Sequence, residues 1–232
     1  MKIVAIGGAS VKDSLHIDKE IVALSKKKAP KFLFIPTASS DSELYWNVIG
    51  KRYKRLGCRI DVLFLLKESP TKKEMREKIL GADIIYVGGG NTLKMMRRWR
   101  FLGVDKLLKK AGKNGAVLCG SSAGAICWFE YGHSDSMSYY NEKKWQYICV
   151  KGLGFLKGVH CPHYDSETLG VKRKNSFKNM MKKRSDVGIA IDECCAVFYN
   201  GKKRRVIRAK KGVNAYEVTK EKGKIVESII DG

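Results

Sequence analysis

Ser122 lies in Gly120-Ser-Ser-Ala-Gly124, a Gly-x-Ser-x-Gly spacing between the apolar run Gly115-Ala-Val-Leu-Cys119 and a second apolar run ending at Trp128. A serine at a sharp strand-to-helix turn is a nucleophile in strained backbone, so its neighbours must be nearly free of side chain. The helix that follows aims unpaired amides at the point where an oxyanion would develop. Phosphate cradling by such a turn calls for a P-loop lysine, and none follows here. A second turn, Gly88-Gly-Gly-Asn-Thr92, comes directly after the apolar stretch Ala82–Val87. Three successive glycines let the backbone approach a ligand closely and turn its amides inward, and Asn91 also fits as a helix cap. One of these amides is a natural second oxyanion donor, with the Ala123 N–H as the first.

A serine nucleophile needs a base, and the chain has four histidines. His16 falls in an early polar stretch and reads as a surface residue. His160 and His163 flank Cys161-Pro162 at the end of the apolar segment Gly152–Val159, a strand-end position suited to a base. His163, followed by Tyr164-Asp165, is the better placed of the two. His133, in Tyr131-Gly-His-Ser-Asp135, competes because it follows the nucleophile turn closely.

The elements that must position these residues alternate. Strands are expected at Lys2–Ile6, Lys31–Ile35, Arg59–Leu66, Ala82–Val87 and Ala116–Cys119. Helices are expected near Asp18–Lys26, Asp41–Leu56 and Val104–Lys113, with further ones after Thr71 and after Asn91. Leu44, Val48 and Leu56 would form the inner side of the second helix. Thr71-Lys-Lys-Glu74 has the capping-box pattern. Near-continuous apolar strands separated by helices predict an α/β fold with a mostly parallel sheet covered by helices on both faces, whose site lies outside the carboxyl ends of the strands. The tail from Gly201 to Gly232 reads as β-hairpins that close a sheet edge, with Asn200-Gly201 as a turn signal. A chain of 232 residues suits one domain, 1–232.

No stretch approaches the roughly 20 apolar residues of a membrane helix. Met1–Ile6 reads as a core strand rather than a signal peptide, which together with seven cysteines lacking a CxxC pair predicts a cytoplasmic protein with mostly buried thiols. The net charge of +23 raises the question of nucleic acid. Its clusters, such as Lys26–Lys28, Arg97–Arg100 and Lys202–Arg205, are scattered at helix ends and turns, so a solvated surface is the expectation and nucleic acid is not. An acidic substrate is a compatible second reason for the charge.

Val87-Gly-Gly-Gly-Asn-Thr92, Gly120-x-Ser-Ala-Gly-Ala125 and Pro162-His163-Tyr164, in that order, resemble the dipeptidase E (aspartyl dipeptidase) and cyanophycinase family of serine peptidases. That family's fold is similar to class I glutamine amidotransferases, with Ser in place of the elbow Cys, and the resemblance runs from the first strand to about Asn200. It implies Ser122 as nucleophile, His163 as base, and the Gly90 and Ala123 amides as the oxyanion hole. It offers two acids to orient the imidazole, Asp135 after the nucleophile helix and Glu193 at a later strand end. Gly89, Asn91, Tyr164 and Arg173 are the implied substrate contacts, Arg173 for the carboxylate of an N-terminal Asp. The plainer reading of Lys172-Arg-Lys174 is the wet face of a helix. The expected chemistry is acyl transfer on short peptides with neither metal nor organic cofactor. The segment Glu130–Val150, rich in Tyr and Ser, departs from a short dipeptidase loop and suggests a lid or a different specificity wall. A non-peptidase amidohydrolase on the same fold, and an inert protein that binds through its basic surface, are the alternatives. A homodimer is compatible with the sequence.

Overall fold

A computed structural model describes residues 1–10 and 12–231. Along the chain run β1 (Lys2–Ile6), α1 (Leu15–Leu24), β2 (Lys31–Ile35), α2 (Glu43–Arg55), β3 (Arg59–Val62), α3 (Lys72–Gly81), β4 (Ile84–Val87), α4 (Thr92–Leu102), α5 (Val104–Lys113), β5 (Val117–Ser121) and the single turn α6 (Ala123–Ile126). There follow β6 (Phe129–Ser134), β7 (Ile148–Lys151), β8 (Leu156–Cys161), the short hairpin β9 (Glu167–Thr168) and β10 (Val171–Lys172), α7 (Arg173–Met181), β11 (Gly188–Ile191), β12 (Cys195–Asn200), β13 (Lys203–Arg208), β14 (Ala215–Glu221) and β15 (Lys224–Ile229).

The first sheet has the order β13-β12-β1-β5-β4-β2-β3, with β1, β5, β4, β2 and β3 mutually parallel and β12 added antiparallel to β1. Alternation along its strands splits the core in two. Val4, Ile6, Phe32, Phe34 and Tyr86 face α1 and α2, whereas Ile3, Ala5, Leu33, Ile85 and Val87 face α3, α4 and α5. Both faces are therefore covered, as the apolar runs predict. The Thr71–Glu74 capping box forms, and Asn91 Oδ1 accepts from the Lys94 amide to start α4.

Three expectations are corrected. Leu44 is 80% exposed and Val48 is also exposed; α2 instead buries Ile49, Gly50 and Tyr53, because the partner surface is aromatic. Phe32 stacks on Tyr53 at 3.9 Å, and Phe34 meets Tyr45 and Trp46. The third strand stops at Val62 rather than Leu66, since the amides of Leu65, Leu66 and Lys67 donate to the buried Asp41 carboxylate at 2.5–3.0 Å instead of to a ladder. The second half of the chain also builds a separate six-stranded sheet, β15-β14-β11-β8-β6-β7, that the alternation did not announce. Glu130–Val150 begins and ends in two of its strands, β6 and β7, and the stretch between them brings Tyr139 against the Gly89–Gly90 turn.

The closing hairpins form, one on each sheet: β12–β13 through Gly201 (φ 62) and β14–β15 through Lys222-Gly223 (φ 45 and 81). Gly232 lies outside the described residues. No helix of the described residues is long and apolar enough to cross a membrane. Six of the seven cysteines are buried, and Cys149 is exposed.

His133 on β6 and His160 on β8 are both completely buried. Burial holds His160 down to about 3, despite a 2.9 Å contact from Nδ1 to the Ile189 carbonyl. Burial, aided by the Arg173 charge, holds His133 well below its ordinary value. Both pKa values are depressed in the fold, so below about pH 6.5 the unfolded chain binds protons that the folded chain refuses. Stability is therefore full above that pH and declines as pH falls toward 3. Urea unfolding between pH 7 and pH 5 is expected to show a loss approaching ~1.4 kcal/mol per pH unit for each histidine. A His160→Gln variant is expected to show a shallower decline, and an unchanged slope would contradict this account.

Candidate active site

The turn that carries Ser122 is tight because backbone packs directly on backbone. A Cβ on Gly120 would lie 2.3 Å from the Gly124 carbonyl oxygen, and one on Gly124 would lie 2.1 Å from that of Val87. Between these two glycines Ser122 takes φ 56 and ψ −115, a region non-glycine residues seldom occupy. Its amide donates to the Ile6 carbonyl at 3.1 Å, and its own carbonyl accepts from Ala125 and Ile126. The strained residue is thus pinned to the end of β1 and to the one-turn helix it begins.

The Gly88–Asn91 turn stands beside it. The Cβ position of Gly89 is 3.2 Å from Ser122 Cβ and 3.8 Å from its Oγ, so a side chain there would press on the serine. Gly90 takes φ 132 with its Cα against the Ala38 carbonyl. Asn91, expected on the substrate, is buried: Oδ1 caps α4 and Nδ2 donates to the Ser136 carbonyl at 3.4 Å. It shapes the turn from behind.

His163 also has a left-handed backbone (φ 50), and its amide donates to the Gly7 carbonyl at 3.1 Å. Its ring lies against Gly8, where a Cβ would come within 2.2 Å of Cε1 and 2.3 Å of Nδ1. Nδ1 is 3.0 Å from Glu193 Oε1. The His163 hydrogen bond is the main cause that holds Glu193 below the usual carboxylate range, against its partial burial. Glu193 is itself placed by two contacts that sequence reasoning missed. Asp165 Oδ1 accepts from the Glu193 amide at 2.9 Å, and the following Cys194 amide donates to the Gly8 carbonyl at 2.6 Å. The Gly7-Gly8 pair after the first strand was the available signal. Ser122 Oγ and His163 are not hydrogen-bonded to each other in this resting arrangement, which is common without substrate.

The remaining candidates lie apart from this group. Asp135 does not meet His163; its Oδ2 accepts from Arg173 at 2.6 Å and from Thr168 at 3.2 Å. Arg173 is 2% exposed, neutralised by Asp135 and stacked 4.9 Å over the Tyr147 ring, so it is neither the wet face of a helix nor a free receptor for a carboxylate. Tyr164 is also buried, packed on Phe177 and Tyr216 in the core between α7 and the second sheet, which removes it as a substrate contact. His133 binds Ser176 through Nε2 at 2.9 Å and stacks on Tyr147, away from Ser122. His16 is exposed on α1. Cys119 and Cys127 are fully buried with thiols raised by burial, unsuited to the elbow role an amidohydrolase would give a cysteine. Among the described residues no group of three or more His, Cys, Asp or Glu side chains is arranged for a metal.

The sequence profile of peptidase family S51 matches residues 3–207. The chain belongs to peptidase family S51. The uncharacterized peptidase YgaJ of Bacillus subtilis (strain 168) is 35% identical over 231 residues, covering 97% of this chain and 95% of that protein. The uncharacterized peptidase Lmo0363 of Listeria monocytogenes is 37% identical over a shorter 95 residues, 40% of this chain and 45% of its own. The fold is that of a solved peptidase from an acI-B1 Actinobacterium, with TM-score 0.73 at 19% identity, covering all of this chain and 94% of that one. A candidate peptidase E from Listeria monocytogenes EGD-e gives TM-score 0.68 at 22% identity over 89% of this chain and 98% of its own. This S51 chain is a peptidase with a large, mostly parallel sheet flanked by helices.

The ring-on-glycine packing gives a direct test. Gly8→Ala pushes the His163 ring off its seat without a backbone clash at that contact, so peptidase activity should fall about 100-fold, the cost of roughly 1 Å of misplacement, while the melting temperature changes little. Gly124→Ala meets backbone and should lower the melting temperature itself. Equal losses of stability in the two variants would refute the distinction.

Proposed function

We propose that the chain is a serine peptidase of short peptides working through Ser122, His163 and Glu193. The observation that carries this is the coincidence of strained Ser122 with the His163–Glu193 pair at 3.0 Å, both tied to consecutive carbonyls at the end of β1, those of Ile6 and Gly7. Ser122 Oγ attacks the peptide carbonyl while His163 Nε2 takes its proton. Glu193, kept ionised by its partner, fixes the Nδ1–H tautomer and supports the imidazolium that forms. The Ala123 and Gly90 amides receive the oxyanion, and Gly89 gives the substrate backbone room beside Ser122. His163 then protonates the leaving amine, and water releases the acyl group. Neither a metal nor a cofactor is required by these steps.

Glu193 is preferred over Asp135 as the orienting acid because Asp135 is committed to Arg173. The same ion pair argues against Arg173 as the reader of an N-terminal Asp, so strict Asp-X specificity is not part of this proposal.

A fluorophosphonate probe read by intact mass is expected to add once to wild type and not at all to Ser122→Ala or His163→Ala. Glu193→Gln should cut kcat by 10³–10⁴-fold, the scale of losing a triad acid, while Asp135→Asn should retain labelling at Ser122. Equal losses in the two acid variants would overturn the choice of Glu193. A folded wild type that takes no adduct and cleaves no dipeptide would move the basic-surface reading ahead.

A further inference from the structure

Beside the Gly89–Gly90 backbone lies a cleft of about 430 Å³ walled by Ala38, Ser39, Ser40, Ser42, Tyr45 and Tyr139. No carboxylate lines it. The turn is built against conformational preference, since Ser40 and Asp41, neither of them glycine, take φ 58 and φ 56 in succession. The structure over-determines this pair of left-handed residues. Asp41 accepts three amides from Leu65–Lys67, and the Pro36 carbonyl accepts from both Ser39 and Asp41. Strain held so firmly next to a reactive residue is a reason to look for a function.

The hydroxyls sort themselves. Ser39 donates to the Pro36 carbonyl and Ser42 caps α2, so both are spent on local backbone. Ser40 is different: exposed at the rim, it accepts only from Lys94 Nζ at 2.9 Å. Lys94 stands in the first turn of α4, whose dipole adds to its positive charge. Among the described residues no Asp or Glu is paired with Lys94. Of the other cations, Lys67 pairs with Glu43 and Arg173 with Asp135, and Arg98, one turn further along α4, spends its Nε on the Leu65 carbonyl. Lys94 is thus a positive charge tied by a neutral hydroxyl to the Ser40 rim of this cleft.

We propose that this cleft is a carboxylate-binding subsite, in which Lys94 and Ser40 hold an anionic group of the substrate while Gly89 places its backbone against Ser122. The inference rests on the serine-peptidase reading and names its substrate class: peptides short enough to bring a carboxylate to Lys94. That carboxylate has two sources, the free C-terminus of the leaving residue or an acidic side chain on the acyl residue. The chemistry is the same for both, a charge-assisted hydrogen bond that ammonium and hydroxyl share.

Binding to Ser122→Ala protein tests this without catalysis. Calorimetry with alanyl-alanine, its C-terminal amide and aspartyl-alanine amide separates the sources. At least one carboxylate-bearing peptide is expected to bind about tenfold more tightly than alanyl-alanine amide, and that advantage should vanish on adding Lys94→Gln and shrink on adding Ser40→Gly, which drops the hydroxyl but accepts the positive φ. A C-terminal source makes alanyl-alanine the tight binder; a side-chain source makes it aspartyl-alanine amide. Equal affinity for all three, or an advantage that survives Lys94→Gln, overturns the subsite. If wild-type Ser122 is not labelled while carboxylate binding still depends on Lys94, the catalytic assignment falls and the subsite stands.

Discussion

Three successive carbonyls at the carboxyl end of β1 hold the site together. Ile6 accepts from Ser122, Gly7 from His163 and Gly8 from Cys194, while the Gly7 amide returns a bond to Cys195. Residues separated by tens of positions in the chain are thereby fastened to consecutive peptide units of one strand. The arrangement demands glycine. A Cβ on Gly7 would lie 2.2 Å from the Asp192 carbonyl oxygen, and one on Gly8 would occupy the space of the imidazole. Only bare backbone can act as acceptor and floor together.

The same three attachments explain how the strain persists. Ser122, His163 and Cys194 all have positive φ, at a cost of order 1–3 kcal/mol each. In every case the strained residue's amide is one of those donated to β1, so the unfavourable torsion is traded for a buried backbone hydrogen bond that would otherwise go unmade. Ser40 and Asp41 repeat the pattern elsewhere, with the carboxylate of Asp41 rather than β1 as the anchor.

Much of this was legible in the sequence because its signals were local. Apolar runs of four or five residues gave the parallel strands, Thr71–Glu74 and Asn91 gave helix starts, and the small residues around Ser122 gave the turn. What stayed hidden depended on partners distant in sequence. The end of β3 was set by Asp41, the buried side of α2 by aromatic residues on β2, and the burial of Arg173 by Asp135. A lone arginine flanked by lysines carries no mark of its future counter-ion. The second sheet escaped for a different reason: its strands are mixed in direction and of the six only β11 is apolar throughout, so alternation of strand and helix could not separate it from the first.

The two sheets divide the proposed machinery between them. Ser122 leaves the first sheet at β5, whereas His163 and Glu193 leave the second at the ends of β8 and β11. During synthesis the nucleophile emerges some forty residues before its base and some seventy before the acid. Until Glu193 has left the ribosome and β12 has docked on β1, the elbow has nothing to draw off its proton. On the proposed assignment a chain cut before Glu193 would therefore hold a silent serine, and hydrolytic competence would arrive only with the last strands of the fold.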